Sequence, residues 1–284
     1  MIYPTKWTEY ELLDFGNQRK LERFGNIITN RPEPQAVSKP SLPLEQWEQA
    51  DLYFRESKNQ KGNWNKQIQD FVLEYKLGSI PIRFKLNQGA FKHLGIFPEQ
   101  AANWEFISDR CTYLHDKGIT PKVLNLFAYT GGASLAANLS GAEVTHVDSV
   151  KSVVTWARQN ADLNRIKTIR WIVEDARRFV EKSVRRGDLY HGIIMDPPVF
   201  GLGPKGKNWK LNRDLPELVQ NALKILHPQH RFFILNTYSP QLPLSELKQM
   251  LSNTTGFPKQ YESTTLGLKI LSDKRLELGN LIRF

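Results

Sequence analysis

From Val123 to Leu235 the chain repeats one pattern: a short apolar run, a polar or glycine-bearing turn, then apolar positions at helical spacing. The runs predict strands at Val123–Phe127, Ala142–Val147, Ile169–Val173, Gly192–Met195 and Arg231–Leu235. The segments between them predict helices. Ala133 restarts helix-compatible sequence after Gly131 and Gly132. Val150, Val153, Val154, Ala157 and Ala161 share one helical face behind Ser149 as cap, and Asp175 opens DARRFVEKSVRRG. Asp214 opens a helix with Leu215, Leu218, Val219, Ala222, Leu223 and Leu226 on its apolar side. Short buried strands alternating with helices predict an α/β fold around a mostly parallel sheet.

The flanks read differently. Before the first strand, Pro98 suits the first turn of a helix that Gly118 ends, with Glu99 favoured by the helix dipole. The amino end of that helix, at Phe97, is either a simple cap or an approach to a ligand crevice. Tyr261–Ile270 and Arg275–Phe284 alternate as a hairpin would. Residues 1–85 hold short runs separated by glycines and by Pro32, Pro34, Pro40 and Pro43, which predicts a small β-rich accessory domain ahead of a larger domain at 86–284. Its aromatics Trp47, Tyr53, Phe54 and Trp64 are either core or stacking surfaces for bases.

Candidate chemistry gathers where the strands end, because an open α/β sheet has its crevice at their carboxyl ends. The turn Tyr129-Thr130-Gly131-Gly132-Ala133-Ser134 lacks the G-x-G-x-x-G spacing that a pyrophosphate requires. Sixteen residues after Gly132, Asp148 precedes Ser149; an ionised carboxylate there accepts from both hydroxyls of a ribose. A ribose without a phosphate cradle points to S-adenosylmethionine, with Thr130, Gly131, Gly132, Asp148 and Ser149 as its candidate contacts. At the next rim Asp175, followed by Ala176, either caps its helix or accepts from an adenine amino group.

Asp196-Pro197-Pro198-Val199-Phe200 closes the fourth strand. Two prolines fix the backbone and leave carbonyl acceptors without donors. An acidic acceptor, a rigid carbonyl and an aromatic ring can hold a planar base by its amino edge and stack its face. Asp196, Pro197 and Phe200 are therefore the candidate catalytic residues, acting by holding the acceptor in line with the methyl group. The segment 201–213 that follows carries Lys205, Lys207, Lys210 and Arg213, one tryptophan (Trp209) and no acid. With Pro198, its Lys205, Lys207, Trp209 and Lys210 suit closure over a polyanionic substrate.

Charge sharpens this. The formal net charge is +10. Residues 1–85 hold 13 Lys and Arg against 11 Asp and Glu, and residues 86–284 hold 26 against 18, so the ligand-binding half carries most of the positive field. Such a field is either a nucleic-acid surface or a basic but inert one. The 40% apolar and 24% charged fractions are those of an ordinary folded protein. No apolar run approaches ~20 residues and no signal-peptide core is present, so a cytoplasmic protein without membrane contact is expected. Cys111 is the one cysteine, which excludes an internal disulfide and a multi-cysteine zinc site; it falls in a helical apolar pattern and is expected in the core, and no metal is expected.

Taken together, LNLFAYTGGAS, HVDS, VEDARRF, DPPVF and the closing hairpin resemble the class I S-adenosylmethionine-dependent methyltransferases. FKHLGIFPEQ, DPPVFGLGPKG and NTYSP are similar, more narrowly, to the bacterial large-subunit ribosomal RNA methyltransferases. The resemblance covers residues about 80–284. It implies a Rossmann-like seven-stranded sheet, its last strand antiparallel, and a small β domain for RNA. It also implies that Asn125, Phe127, Asp148, Asp175 and Asp196 line the cofactor, with Phe97 closing one side, and that a base of ribosomal RNA is methylated. Members that make 5-methylcytosine carry a nucleophilic cysteine at the end of strand five, where this chain has Tyr238. A phenol is a poor nucleophile near neutral pH, so direct transfer without a covalent adduct is expected. The aromatic of DPPVF falls one residue later than in the D-P-P-Y form of amino-methylating enzymes. A methyltransferase acting on protein or a small molecule, and a non-catalytic nucleic-acid-binding module, are the alternatives.

Overall fold

The computed structural model describes residues 1–57, 61–201 and 208–284. The chain divides into two compact units, one of Met1–Ala102 with Gly267–Leu278, the other of Asn103–Leu266 with Gly279–Phe284.

In the first unit β1 (Tyr10–Gly16), β2 (Arg19–Phe24) and β3 (Ile27–Pro32) form an antiparallel meander. Asn17 and Gln18 join β1 to β2 with φ of 49° and 59°, the left-handed pair that a tight hairpin turn demands. A crossover through α1 (Leu44–Glu48) returns β4 (Leu52–Glu56) parallel to β3, and β5 (Gly62–Trp64) closes this sheet. A separate hairpin pairs β6 (Phe71–Leu77) with β7 (Ile80–Leu86). Trp47, Phe54 and Trp64 are buried, and Trp47 Nε1 donates to the buried Asp14 (3.2 Å). These three rings are core. Tyr53 stays half-exposed beneath the Arg19 guanidinium, 4.2 Å from its ring centre.

The second unit is built on the alternation read from the chain. After α2 (Ala101–Asp116) come β8 (Lys122–Leu126), α3 (Gly132–Leu139), β9 (Glu143–Asp148), α4 (Lys151–Leu163), β10 (Arg170–Val173), α5 (Ala176–Arg186) and β11 (Gly192–Met195). A two-stranded ribbon of β12 (Phe200–Gly201) and β13 (Trp209–Lys210) precedes α6 (Leu211–Lys224). Then follow β14 (Phe232–Thr237), α7 (Leu244–Ser252), β15 (Glu262–Lys269) and β16 (Arg275–Arg283). The seven strands run in the order β10-β9-β8-β11-β14-β16-β15. β8 through β11 and β14 are mutually parallel, and β16 is antiparallel to β14. This is the expected Rossmann-like sheet. The chain steps outward from β8 to β10, then returns to the other side of β8 with β11. That reversal is where an open α/β sheet leaves a crevice.

Three boundaries differ from the sequence reading. β14 continues to Thr237 because Asn236 and Thr237 pair with Leu281 and Asn280 of β16. α6 begins at Leu211 rather than Asp214, since Asp214 accepts from the Lys210 N–H (2.8 Å) and closes the first turn from inside the helix. Ser149 caps nothing: α4 starts at Lys151, and the Val150 N–H donates to Asp148 Oδ1 (2.9 Å) instead.

Candidate active site

Strand register sets the geometry. Leu126 pairs with Val147 and with Met195, Met195 pairs with Leu235, and Asp148 pairs with Val173. One residue further on, Phe127, Asp148, Asp196 and Asn236 stand level at the carboxyl rim. Asp148 and Asp196 are two strands apart, about 10 Å at ordinary strand spacing. They share one edge of one sheet.

The turn between β8 and α3 is tied at nearly every residue. Ala128 N–H donates to Val147 O (3.1 Å), Tyr129 N–H to Asp148 Oδ2 (3.0 Å) and Gly131 N–H to Ala128 O (3.0 Å). From α4, Asn160 Nδ2 donates to Thr130 O (2.9 Å). Phe127, Tyr129 and Gly131 all adopt positive φ, at 54°, 49° and 92°. Protein side chains fill the space where either glycine would carry a Cβ. A Cβ on Gly132 would sit 2.7 Å from the Trp104 indole, and one on Gly131 would sit 3.3 Å from the Ala157 Cβ. Asn125 is 3% exposed and donates to Ser134 Oγ (2.9 Å), which lies 3.0 Å from His146 Nδ1. Its amide therefore braces the turn from below. Burial, with Arg158 adding, drives the His146 imidazole down to about 3, so it is neutral. Trp104, Ser134, His146 and Asn160 carried no signal in the sequence, because neutral polar groups and rings in a core reveal their partners only after folding.

Asp148 is half-buried. Burial raises its carboxyl above the ordinary range despite the opposing backbone N–H groups of Val150, Tyr129 and Ser149. Asp175 is the cap of α5: it accepts from Arg177 N–H (3.0 Å) and Arg178 N–H (3.2 Å) and pairs with the Arg177 guanidinium (3.1 Å). Arg177 also reaches Asp214 (3.1 Å) and lies over the Trp209 ring. Ala176, the first residue of α5, is buried.

In the segment after β11, Asp196 and Val199 are half-buried, Pro197 is buried, and Pro198 and Phe200 are exposed, Phe200 by 67%. Two expectations change here. Trp209 is not a surface ring for substrate: it is 3% exposed, 5.0 Å from the Phe127 ring, and its Nε1 donates to Pro198 O (2.6 Å). The Pro198 carbonyl is correspondingly held by Trp209 rather than presented to a base. The cause is strand alternation in the β12–β13 ribbon, which turns Trp209 inward and leaves Lys210 exposed opposite Phe200. Lys205 and Lys207 lie outside the described residues. Tyr238 is half-buried just past β14, its ring against Gly279. Phe97 and Glu99 belong to the first unit, where the Phe97 ring lies 4.9 Å from that of His93. Cys111 is fully buried in α2, and desolvation pushes its thiol up to about 12. Among the described residues no His, Cys, Asp and Glu cluster can hold a metal, and no helix is long and apolar enough to cross a membrane.

No protein family model matches the chain. The crystal structure of the SAM-dependent methyltransferase from Agrobacterium tumefaciens matches with a TM-score of 0.91 at 33% identity, over 99% of this chain and 91% of that one. The chain belongs to the S-adenosylmethionine-dependent methyltransferases. The methyltransferase fold also matches SMU.776, a candidate methyltransferase solved with S-adenosylhomocysteine, at TM-score 0.71 and 20% identity over 98% of this chain and 76% of that one. Among curated proteins, ribosomal RNA large subunit methyltransferase K/L of Pseudoalteromonas atlantica is 32% identical over 200 residues, and that of Pseudoalteromonas translucida 31% over 207. Each alignment covers 69% of this chain but 26% and 27% of the relative, so the methyltransferase spans about a quarter of their length.

The rim fits the methyl donor chemically. The backbone N–H groups of Ala128, Tyr129 and Gly131 are consumed within the protein and are not available to a phosphate. Asp148 offers a partly exposed carboxylate that can accept from ribose hydroxyls.

Proposed function

We propose that this methyltransferase acts on a base of RNA, ribosomal RNA in the first instance, by direct transfer. The observation that carries the reading is the 32% identity across 200 residues with ribosomal RNA large subunit methyltransferase K/L of Pseudoalteromonas atlantica. The basic balance of residues 86–284 and the exposed Phe200 opposite Lys210 support a polyanionic substrate whose bases can stack. The sole cysteine supports direct transfer, because a buried thiol held near 12 has neither the access nor the ionisation to add to a pyrimidine. A ribosomal substrate puts the enzyme in the cytoplasm.

In this reading Asp148 takes the ribose hydroxyls. Phe127, Thr130, Gly131, Gly132 and Ala176 shape the remaining cofactor wall, with Asn125 and Asp175 holding that wall in place. When bound, S-adenosylmethionine supplies an electrophilic methyl group on its sulfonium. Asp196 accepts from the amino edge of the target base, Pro197 fixes the backbone that carries it, and Phe200 covers the face of the base. Orienting the acceptor is the main service, since a well-oriented pair gains several orders of magnitude in rate.

The test incubates the purified chain with methyl-labelled S-adenosylmethionine and ribosomal RNA, free and in subunits. Label is expected in RNA, sensitive to RNase, with binding that weakens steeply as salt rises. Label in protein or small molecules, together with salt-insensitive substrate binding, overturns the RNA assignment. No heat from S-adenosylhomocysteine in calorimetry contradicts the cofactor site.

A further inference from the structure

The Trp209 indole meets three parts of the site at once. Its Nε1 donates to Pro198 O (2.6 Å), its ring centre lies 5.0 Å from that of Phe127 at an interplanar angle of 57°, and the Arg177 guanidinium lies over it, 5.7 Å from the ring centre. Phe127 opens the turn after β8 and Arg177 stands in the first turn of α5, so both are on the side assigned to the methyl donor. Pro198 belongs to the segment after β11, which carries Asp196.

The ring is itself held from two directions. In the β12–β13 ribbon Trp209 pairs with Gly201 and Lys210 with Phe200, and the Leu211 N–H donates to Val199 O (3.0 Å). Arg177 pairs with Asp175 (3.1 Å) and Asp214 (3.1 Å), and Asp214 accepts from the Lys210 N–H (2.8 Å) and pairs with Arg213 (2.8 Å). Asp175 and Asp214 are each 11% exposed, which shields these pairs from salt and keeps them in register. On the acceptor side, Pro197 and Pro198 have no N–H to give, so the segment is fastened through its carbonyls, at Pro198 by the indole and at Val199 by Leu211. A buried tryptophan needs a partner for its N–H. Here that partner is the backbone oxygen two residues past Asp196, and the ring that supplies the N–H rests on Phe127.

We propose that Trp209 is a positioning residue for methyl transfer: one rigid indole fixes the distance between the donor side, at Phe127, and the acceptor segment at residues 196–198. The inference rests on the role proposed above for Asp196. A misplacement of about 1 Å between reacting groups costs about 100-fold in rate, and a buried ring sets that distance from behind rather than by touching the acceptor.

The test places benzothienylalanine at position 209, which keeps the bicyclic ring and replaces the N–H by sulfur, beside Trp209→Phe, which removes the donor and shrinks the ring. Single-turnover methyl transfer to ribosomal RNA should fall about 10-fold to 100-fold in both, with affinities for S-adenosylhomocysteine and RNA within about twofold of the unaltered chain. A ring-fluorinated tryptophan at the same position keeps the N–H and should restore the rate. Where Trp209→Phe loosens the fold, the isostere decides. Full rate in the isostere while Asp196→Ala loses turnover overturns the positioning role and leaves the proposed function standing. A loss of rate matched by a loss of S-adenosylhomocysteine affinity also overturns it, since that marks a packing defect in the cofactor wall, and so does a raised KM for RNA at unchanged kcat. If the unaltered chain labels no RNA, the proposed substrate fails, and hydrogen exchange of the Trp209 indole N–H decides the link instead. Protection that rises when S-adenosylhomocysteine binds is expected; exchange indifferent to the cofactor overturns it.

Discussion

The turn after β8 and the segment after β11 sit level on one rim, yet they are built in opposite ways. The first is closed by the protein: the N–H groups of Ala128, Tyr129 and Gly131 are consumed, Asn160 holds Thr130, and Trp104 and Ala157 occupy the room a side chain would take at the glycines. Three consecutive odd-numbered residues from Phe127 to Gly131 hold left-handed backbone, which for Phe127 and Tyr129 costs about 1–3 kcal/mol each. The second is anchored from behind by Trp209 and leaves Pro198 and Phe200 in solvent. Rigidity at one end and access at the other suit a methyltransferase that keeps its methyl donor in a fixed pose and, in the function proposed above, admits one nucleotide of an RNA.

Injury at the two places should therefore read out differently. Asp196→Ala should cost the most, about 100-fold to 1000-fold in turnover with S-adenosylmethionine affinity little changed, measured by single-turnover methyl transfer and calorimetry. Equal losses in both quantities would erase the division of labour. Gly132→Ala drives a Cβ into the Trp104 indole and should destabilise by about 1–3 kcal/mol in urea unfolding, with cofactor affinity falling alongside.

Protonation of Asp148 is gentler. Because burial raises this carboxyl, its charged form costs the folded state some stability at neutral pH, and that cost fades as pH falls through the raised value. Acid should therefore weaken S-adenosylmethionine binding before it reaches the ordinary carboxylate value of about 4, without this group contributing to unfolding. Calorimetry across pH 4–7 on the unaltered chain and on Asp148→Asn checks it, and only the unaltered chain should show the decline. Phe200→Ala should be the mildest change. With the ring 67% exposed, stability should move by less than about 0.5 kcal/mol, whereas the loss of one stacked base should weaken RNA about fivefold.

The sheet was legible because burial on both faces writes itself as apolar runs, and because Asp148 and Asp196 follow such a run directly and Asp175 one residue later. The details of the site were not. Trp209 sits in a glycine- and lysine-rich stretch that reads as surface, and only its pairing with Gly201 turns it inward. Ser149 reads as the cap of α4, but the Val150 N–H goes to the Asp148 side chain instead. Gly132 announced a special backbone position without naming what crowds it, since Trp104 is distant in sequence. Composition and local pattern locate the rim; which groups remain available there is decided by neighbours far along the chain.

The division of the chain has a temporal corollary. Gly267–Leu278 belongs to the first unit, where Gly267 N–H donates to Ile2 O (3.0 Å) and Lys274 Nζ to Phe15 O (2.8 Å). Residues translated early must therefore wait for a late hairpin before their unit is whole, so a nascent polypeptide released prematurely loses part of its beginning as well as its end.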